Sequence, residues 1–210
     1  MFGVLASISG VVLIISNLAA GKIWLLFGLP ADGGLIIFPV TYIIGDLIVA
    51  LYGEKKANLV VTTSTALAFV MTVIMWIVVY LLPAYPGWNG QSSFASVFGS
   101  VNRITLASLT AYFVSNVLNN HVFIKIRHGF IGKALGSSAA SRLVDNLIFE
   151  TLGFFGVLAV SDFIKQMIFA YVAGMILETA LAPVSKFCYE KLRTSKLYWM
   201  EFIEDPVSPI

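Results

Sequence analysis

Asn58 to Leu82 reads NLVVTTSTALAFVMTVIMWIVVYLL, a run without one Asp, Glu, Lys or Arg. An α-helix needs about 20 apolar residues to cross the hydrocarbon core of a bilayer, and this run is long enough. Phe69-Val70-Met71 and Ile77-Val78-Val79 within it do not alternate apolar with polar. Strands of a membrane β-barrel must alternate, so that architecture is excluded. Working outward, similar runs cover residues 2–21, 34–53, 104–124, 139–160 and 163–187. The expected fold is all-α: a polytopic membrane protein of six transmembrane helices.

Composition agrees. Hydrophobic residues make up 59% of the chain and charged residues 11%, where a soluble domain carries about 25% charged. Mean hydropathy is +0.91. The spans leave only short connections, which predicts one transmembrane domain over residues 1–190 and a short tail over 191–210. The first run has no basic residues before it, so it reads as a span rather than a signal peptide. Ala19-Ala20-Gly21 only faintly resembles a cleavage site. The single Cys188 excludes an intrachain disulfide, and two His with one Cys leave no zinc set.

The placement of charge gives an orientation. Lys55, Lys56, Lys125, Arg127, Lys133, Arg142, Lys186, Lys191, Arg193 and Lys196 fall in or beside alternate connections and the tail. The other connections hold only Lys22, Arg103 and Lys165. The positive-inside rule then puts both termini in the cytoplasm of a prokaryote, with the chain multi-pass in its inner membrane. The connection from Pro83 to Asn102 becomes external, and Tyr80, Tyr85, Trp88 and Trp24 suit an outer aromatic belt. The tail, with Glu201, Glu204, Asp205 and two prolines, is expected to be loosely ordered.

Polar residues inside the runs are candidates for function, because they are costly in lipid and face the bundle interior. Asp46 follows Gly45, and Pro39 stands seven residues earlier. Pro removes a helix hydrogen bond and Gly permits close packing, so backbone groups here become available to a solute. Tyr42, one turn before Asp46, offers a ring for stacking. The alternative is that Asp46 only pairs with a basic residue such as Arg142 or Lys22. Arg142 and Asp145 have the spacing of an i, i+3 pair. Glu150 and Glu178 lie well inside their spans. Each could bind solute, carry a coupling proton or stabilise a helix contact as a neutral acid. Asn17 reads as a site residue or as an interhelical hydrogen bond. Asn116, Asn119 and Asn120 share one helix face. His121 reads as an interface residue, and the Thr62 to Thr65 cluster as bonded to its own helix.

Two strings echo each other. Ser115-Asn116-Val117-Leu118-Asn119-Asn120-His121-Val122-Phe123 and Ser141-Arg142-Leu143-Val144-Asp145-Asn146-Leu147-Ile148-Phe149 share a pattern of Ser, polar, two aliphatics, Asn or Asp, and Asn. Adjacent spans run in opposite directions, and opposed repeats commonly frame transporter sites. Carboxylates, amides and rings together suit a neutral planar heterocycle with donor and acceptor edges. No H-E-x-x-H, G-x-S-x-G or P-loop is present, so no enzyme is expected. Neither a cofactor nor nucleic-acid binding is expected. Gly153 and Gly156 would serve a homodimer contact or ordinary packing equally well.

Ser16-Asn17, Phe38-Pro39 with Tyr42, Gly45-Asp46 leading to Tyr52-Gly53, and Ser141 through Asp145 to Phe149 resemble the queuosine-precursor transporter family. This family, the VUT group, was once labelled a vitamin-uptake family. The resemblance covers roughly residues 16–160. It implies a six-helix inner-membrane protein that takes up 7-cyano-7-deazaguanine, its aminomethyl analogue or queuine, bases that feed tRNA modification. By position it places Asn17, Asp46, Asn116, Asn119, Asp145 and Phe149 on the family's motifs. The chain departs from the pattern at Ala50, where a Glu is common, at Arg142, where a Gln is common, and at Asn119, where an Asp is frequent. The expected mechanism is alternating access. Asp46 and Asp145 would take the donor edge of the base, Asn116 and Asn119 its acceptors, and Tyr42 or Phe149 its face. The rivals are a substrate-binding subunit of an energy-coupling-factor vitamin transporter, a structural membrane protein without a cavity, and an intramembrane enzyme using Asp145 and Glu150.

Overall fold

The computed structural model describes residues 1–20, 22–26, 29–98, 103–156, 159–196 and 198–200. The order is α1 (Phe2–Ala20), β1 (Ile23–Leu26), β2 (Leu29–Asp32), α2 (Gly34–Tyr80), α3 (Gln91–Phe98), α4 (Arg103–Lys125), α5 (Phe130–Phe154) and α6 (Val160–Arg193). The tail acids Glu201, Glu204 and Asp205 lie outside the described residues. By length and composition, three described helices could cross a membrane: Phe2–Ala20, Gly34–Tyr80 and Phe163–Arg193.

α2 has 47 residues, about 70 Å if straight, which is more than twice a hydrocarbon core of about 30 Å. It is not straight. Gly53 has φ 81 and ψ 169, a break inside the helix that only glycine adopts without strain. Phe38, before the break, packs on the same cluster of Leu13, Leu109 and Tyr112 that holds Val61 and Ala68. An unbroken helix would separate positions 38 and 68 by about 45 Å. The chain therefore folds back at Gly53, close to where the hydropathy breaks between residues 53 and 58.

The all-α expectation holds, with one short hairpin added to it. Between α1 and α2, where the sequence offered only a connection, β1 and β2 pair antiparallel, with Ile23 opposite Asp32 and Leu26 opposite Leu29. The connection after α2 also carries α3. Its Gln91 side chain donates to the Val79 carbonyl (2.8 Å) and so satisfies one of the free carbonyls at the end of α2. Tyr198, in the region expected to be loose, donates to the Leu51 carbonyl (3.0 Å) and packs edge-on against Tyr52.

Burial departs from that of a soluble protein, with apolar stripes outside and many polar groups set within the apolar core. Val4, Ile8, Val11 and Ile15 of α1 and Ile168, Val172 and Ile176 of α6 are exposed, in stripes at helical spacing. Buried positions include Asp46, Ser115, Asn116, Asn119, Asn120, Ser137, Ser138, Ser141, Arg142, Glu150 and Glu178. Apolar outside and polar within is the distribution that lipid as solvent selects. Small side chains let the helices approach closely, and α5 contributes Ala134, Ser137, Ser138 and Ser141 to this interior.

Candidate functional site

Two rungs tie α2, α4 and α5 together. In the first, the Tyr42 hydroxyl lies 3.3 Å from Ser115 Oγ, which donates to Asp145 Oδ1 at 3.0 Å. In the second, Asn119 Nδ2 donates to Asp46 Oδ1 at 2.8 Å, and Ser141 Oγ donates to Asn119 Oδ1 at 3.2 Å. Tyr42 and Asp46 are one turn apart, as are Ser115 and Asn119, so α2 and α4 run parallel here. The pairing of 115 with 145 and 119 with 141 makes α4 and α5 antiparallel.

The rungs explain the echo between the two strings. The Ser that opens each string bonds the fifth residue of the other: Ser115 to Asp145, and Ser141 to Asn119. The contact is locally two-fold, as expected when similar segments pack in opposite directions.

Arg142 extends from α5 to α6. Its Nε donates to Glu178 Oε1 at 3.0 Å, and its Nη2 also contacts that oxygen. The sequence spacing suggested Arg142 with Asp145, but the guanidinium's hydrogen bonds go to Glu178. The guanidinium also sits over the Tyr42 ring, 5.0 Å from its centroid, in cation–π geometry. Gly174 makes room for it. A Cβ there would come within 2.6 Å of the guanidinium carbon.

This layer of Tyr42, Arg142 and Glu178 lies between two hollows. The larger encloses about 660 Å³, counting its open side, and its lining includes Asn17, Phe38, Ser108, Arg142, Asp145, Phe149 and Glu150. Leu35 lines it too, and Pro39 cannot donate to the Leu35 carbonyl as an ordinary fourth-next residue would. Asn17 is held by its bond to the Leu13 carbonyl (3.0 Å) and by the Ser108 hydroxyl (2.6 Å). Gln166 of α6 donates to Glu150 Oε2 at 3.2 Å. The smaller hollow is lined by Tyr42, Asp46, Ser138, Glu178 and Ser185, among others.

The candidates from sequence thus separate. Asn17, Arg142, Asp145, Phe149 and Glu150 face the larger hollow, and Tyr42, Asp46 and Glu178 the smaller. Asn119 holds Asp46, while Asn116 donates to the Tyr112 carbonyl of its own helix (2.9 Å). Neither amide is among the residues lining the hollows. His121 is exposed and contacts Glu54 at 3.0 Å, and Thr62 and Thr65 bond their own helix. Sequence reading missed Ser108, Ser138, Gln166 and Ser185. Ser108 was within reach, because positions 108, 112, 115 and 119 form one helical stripe back from Asn119.

The family described as "Putative vitamin uptake transporter" matches residues 32–188. A "Probable queuosine precursor transporter" of Bacillus subtilis (strain 168) is 29% identical over 154 residues, 70% of this chain and 67% of that relative. No solved structure matches significantly. The matched span holds Tyr42, Asp46, Arg142, Asp145, Glu150 and Glu178 together, and over three quarters of its length, about, the chain belongs to that transporter family.

Proposed function

We propose that the chain crosses the inner membrane of a prokaryote six times, with both termini cytoplasmic, and takes up a deazaguanine queuosine precursor by alternating access. The observation that carries this reading is the larger hollow. Its Asp145 and Glu150 carboxyls offer acceptors, Asn17 donates and accepts, and Phe38 and Phe149 offer flat faces. That set suits a planar base with a guanine-like donor edge. The name of the Bacillus subtilis relative supports the same substrate class. Asp46 falls on the far side of the Tyr42, Arg142 and Glu178 layer, so the initial contact with the base is assigned to Asp145. In this reading the layer is the barrier that must rearrange for the base to pass.

The experiment is thermal stabilisation of the detergent-purified protein by 7-cyano-7-deazaguanine, its aminomethyl analogue, queuine, guanine and a set of vitamins. A ligand at 100 times its Kd adds about 2.7 kcal/mol. The expected result is a shift with a deazaguanine, reduced in Asp145→Asn. A shift with a vitamin alone would replace the substrate and favour the binding-subunit reading. No shift with any compound would remove the solute-binding reading.

A further inference from the structure

The smaller hollow has a chemistry different from the larger one. Two carboxyls and two serine hydroxyls line it, from Asp46, Glu178, Ser138 and Ser185, and among the described residues no basic side chain does. Glu178 is about 95% buried, and both Arg142 bonds go to its Oε1. Among the described residues its Oε2 has no hydrogen-bond partner, and neither does Ser185 Oγ. A buried carboxylate oxygen without a partner is costly and calls for a ligand. The charges point the same way. Arg142 neutralises Glu178, whereas the hydrogen bond to Asp46 comes from the neutral amide of Asn119. An ionised Asp46 would leave one negative charge against the hollow. The space holds about one water-sized particle.

From these observations we infer that the hollow is a site for a single sodium ion, bound by Asp46, Glu178, Ser138 and Ser185. Hard cations take oxygen ligands, and every polar group named here presents oxygen. A monovalent ion would balance an ionised Asp46, and a divalent ion would leave a net positive charge against these two carboxyls and Arg142. The ion would touch the Oε2 of the carboxylate whose Oε1 holds Arg142, and Arg142 borders the larger hollow. Ion occupancy would therefore bias the barrier layer. This deepens the transporter reading by naming its coupling ion, and the coupling rests on that reading, but the ion site itself does not.

The test needs no base. Melting of the detergent-purified full chain is measured in NaCl, KCl or choline chloride at equal ionic strength, at two pH values. The wild type is expected to gain stability saturably with sodium over choline. Asp46→Asn is expected to lose that gain, and Ser185→Ala to shift the half-saturating concentration at least several-fold upward. Should Asp46→Asn fail to fold, Ser185→Ala alone decides. Equal melting in all three salts would overturn the site, as would a sodium response unchanged in both variants. Stabilisation that follows pH and ignores sodium would also overturn it, in favour of a proton. A sodium response without any base response would retain the ion site and refute the substrate instead.

Discussion

Arg142 shows how a single side chain can be legible in kind and not in partner. Its position within an apolar run marked it as a candidate for function or for a structural pair, and the i, i+3 spacing offered Asp145. Glu178, 36 residues away, takes the hydrogen bonds, because pairing between helices leaves no periodicity in the sequence. The same blindness hid the hydrogen bond from Asn119 to Asp46. Gly174 is the quiet partner in this arrangement, and Gly174→Ala tests it. The new methyl would collide with the guanidinium and push Arg142 off Glu178. Breaking a buried ion pair costs about 3–5 kcal/mol. Gly174→Ala is therefore expected to melt well below wild type and to lose most uptake. Gly3→Ala, with nothing within 4 Å of its added methyl, should change neither. Equal melting of the two variants would remove the role given to Gly174.

Among the elements, the helical spans could be read from hydropathy because lipid imposes length and apolarity on each one separately. The break at Gly53 was read as an interval rather than as a residue. Hydropathy falls gradually through Glu54, Lys55 and Lys56, whereas the backbone turns at one glycine. The hairpin of β1 and β2 escaped because its strands are only four residues each. The echo of α4 and α5 was visible as letters, but its meaning is the reciprocal serine contact, which needed the fold. Gly53 supplies the prediction at this scale. Nothing lies within 4 Å of an added Cβ, so Gly53→Ala meets no clash and isolates the backbone conformation. Holding a non-glycine residue at φ 81 and ψ 169 costs of the order of 1–3 kcal/mol. The variant should melt lower with secondary structure by circular dichroism unchanged. Melting equal to wild type would mean that the chain does not need this conformation to fold back.

For the whole molecule, the directions of the helices constrain the number of crossings. α1 meets the first half of α2 antiparallel, with Phe2 on Tyr52 at one end and Ala19 beside Gly33 at the other. That half runs parallel to α4 and α4 antiparallel to α5. α5 and α6 are antiparallel as well, since Arg142 meets Glu178 while Glu150 meets Gln166. With the reversal at Gly53, each successive long helical segment opposes the last, which is the pattern six crossings require. Charge would supply the orientation, because Lys55, Lys56, Lys125, Arg127 and Lys133 fall at the same end of successive helices. Tyr85, exposed in the opposite connection, and Arg127, exposed between α4 and α5, should then lie on opposite sides with one crossing between them. Single cysteines at these positions, in a Cys188→Ser background, make this measurable with a membrane-impermeant maleimide. Tyr85→Cys should label in intact cells, and Arg127→Cys only after permeabilisation. Labelling of both from outside would mean that α4 does not cross, and the alternating bundle would have to lie differently in the membrane. The reverse pattern would keep six crossings and invert the orientation that the charges assign.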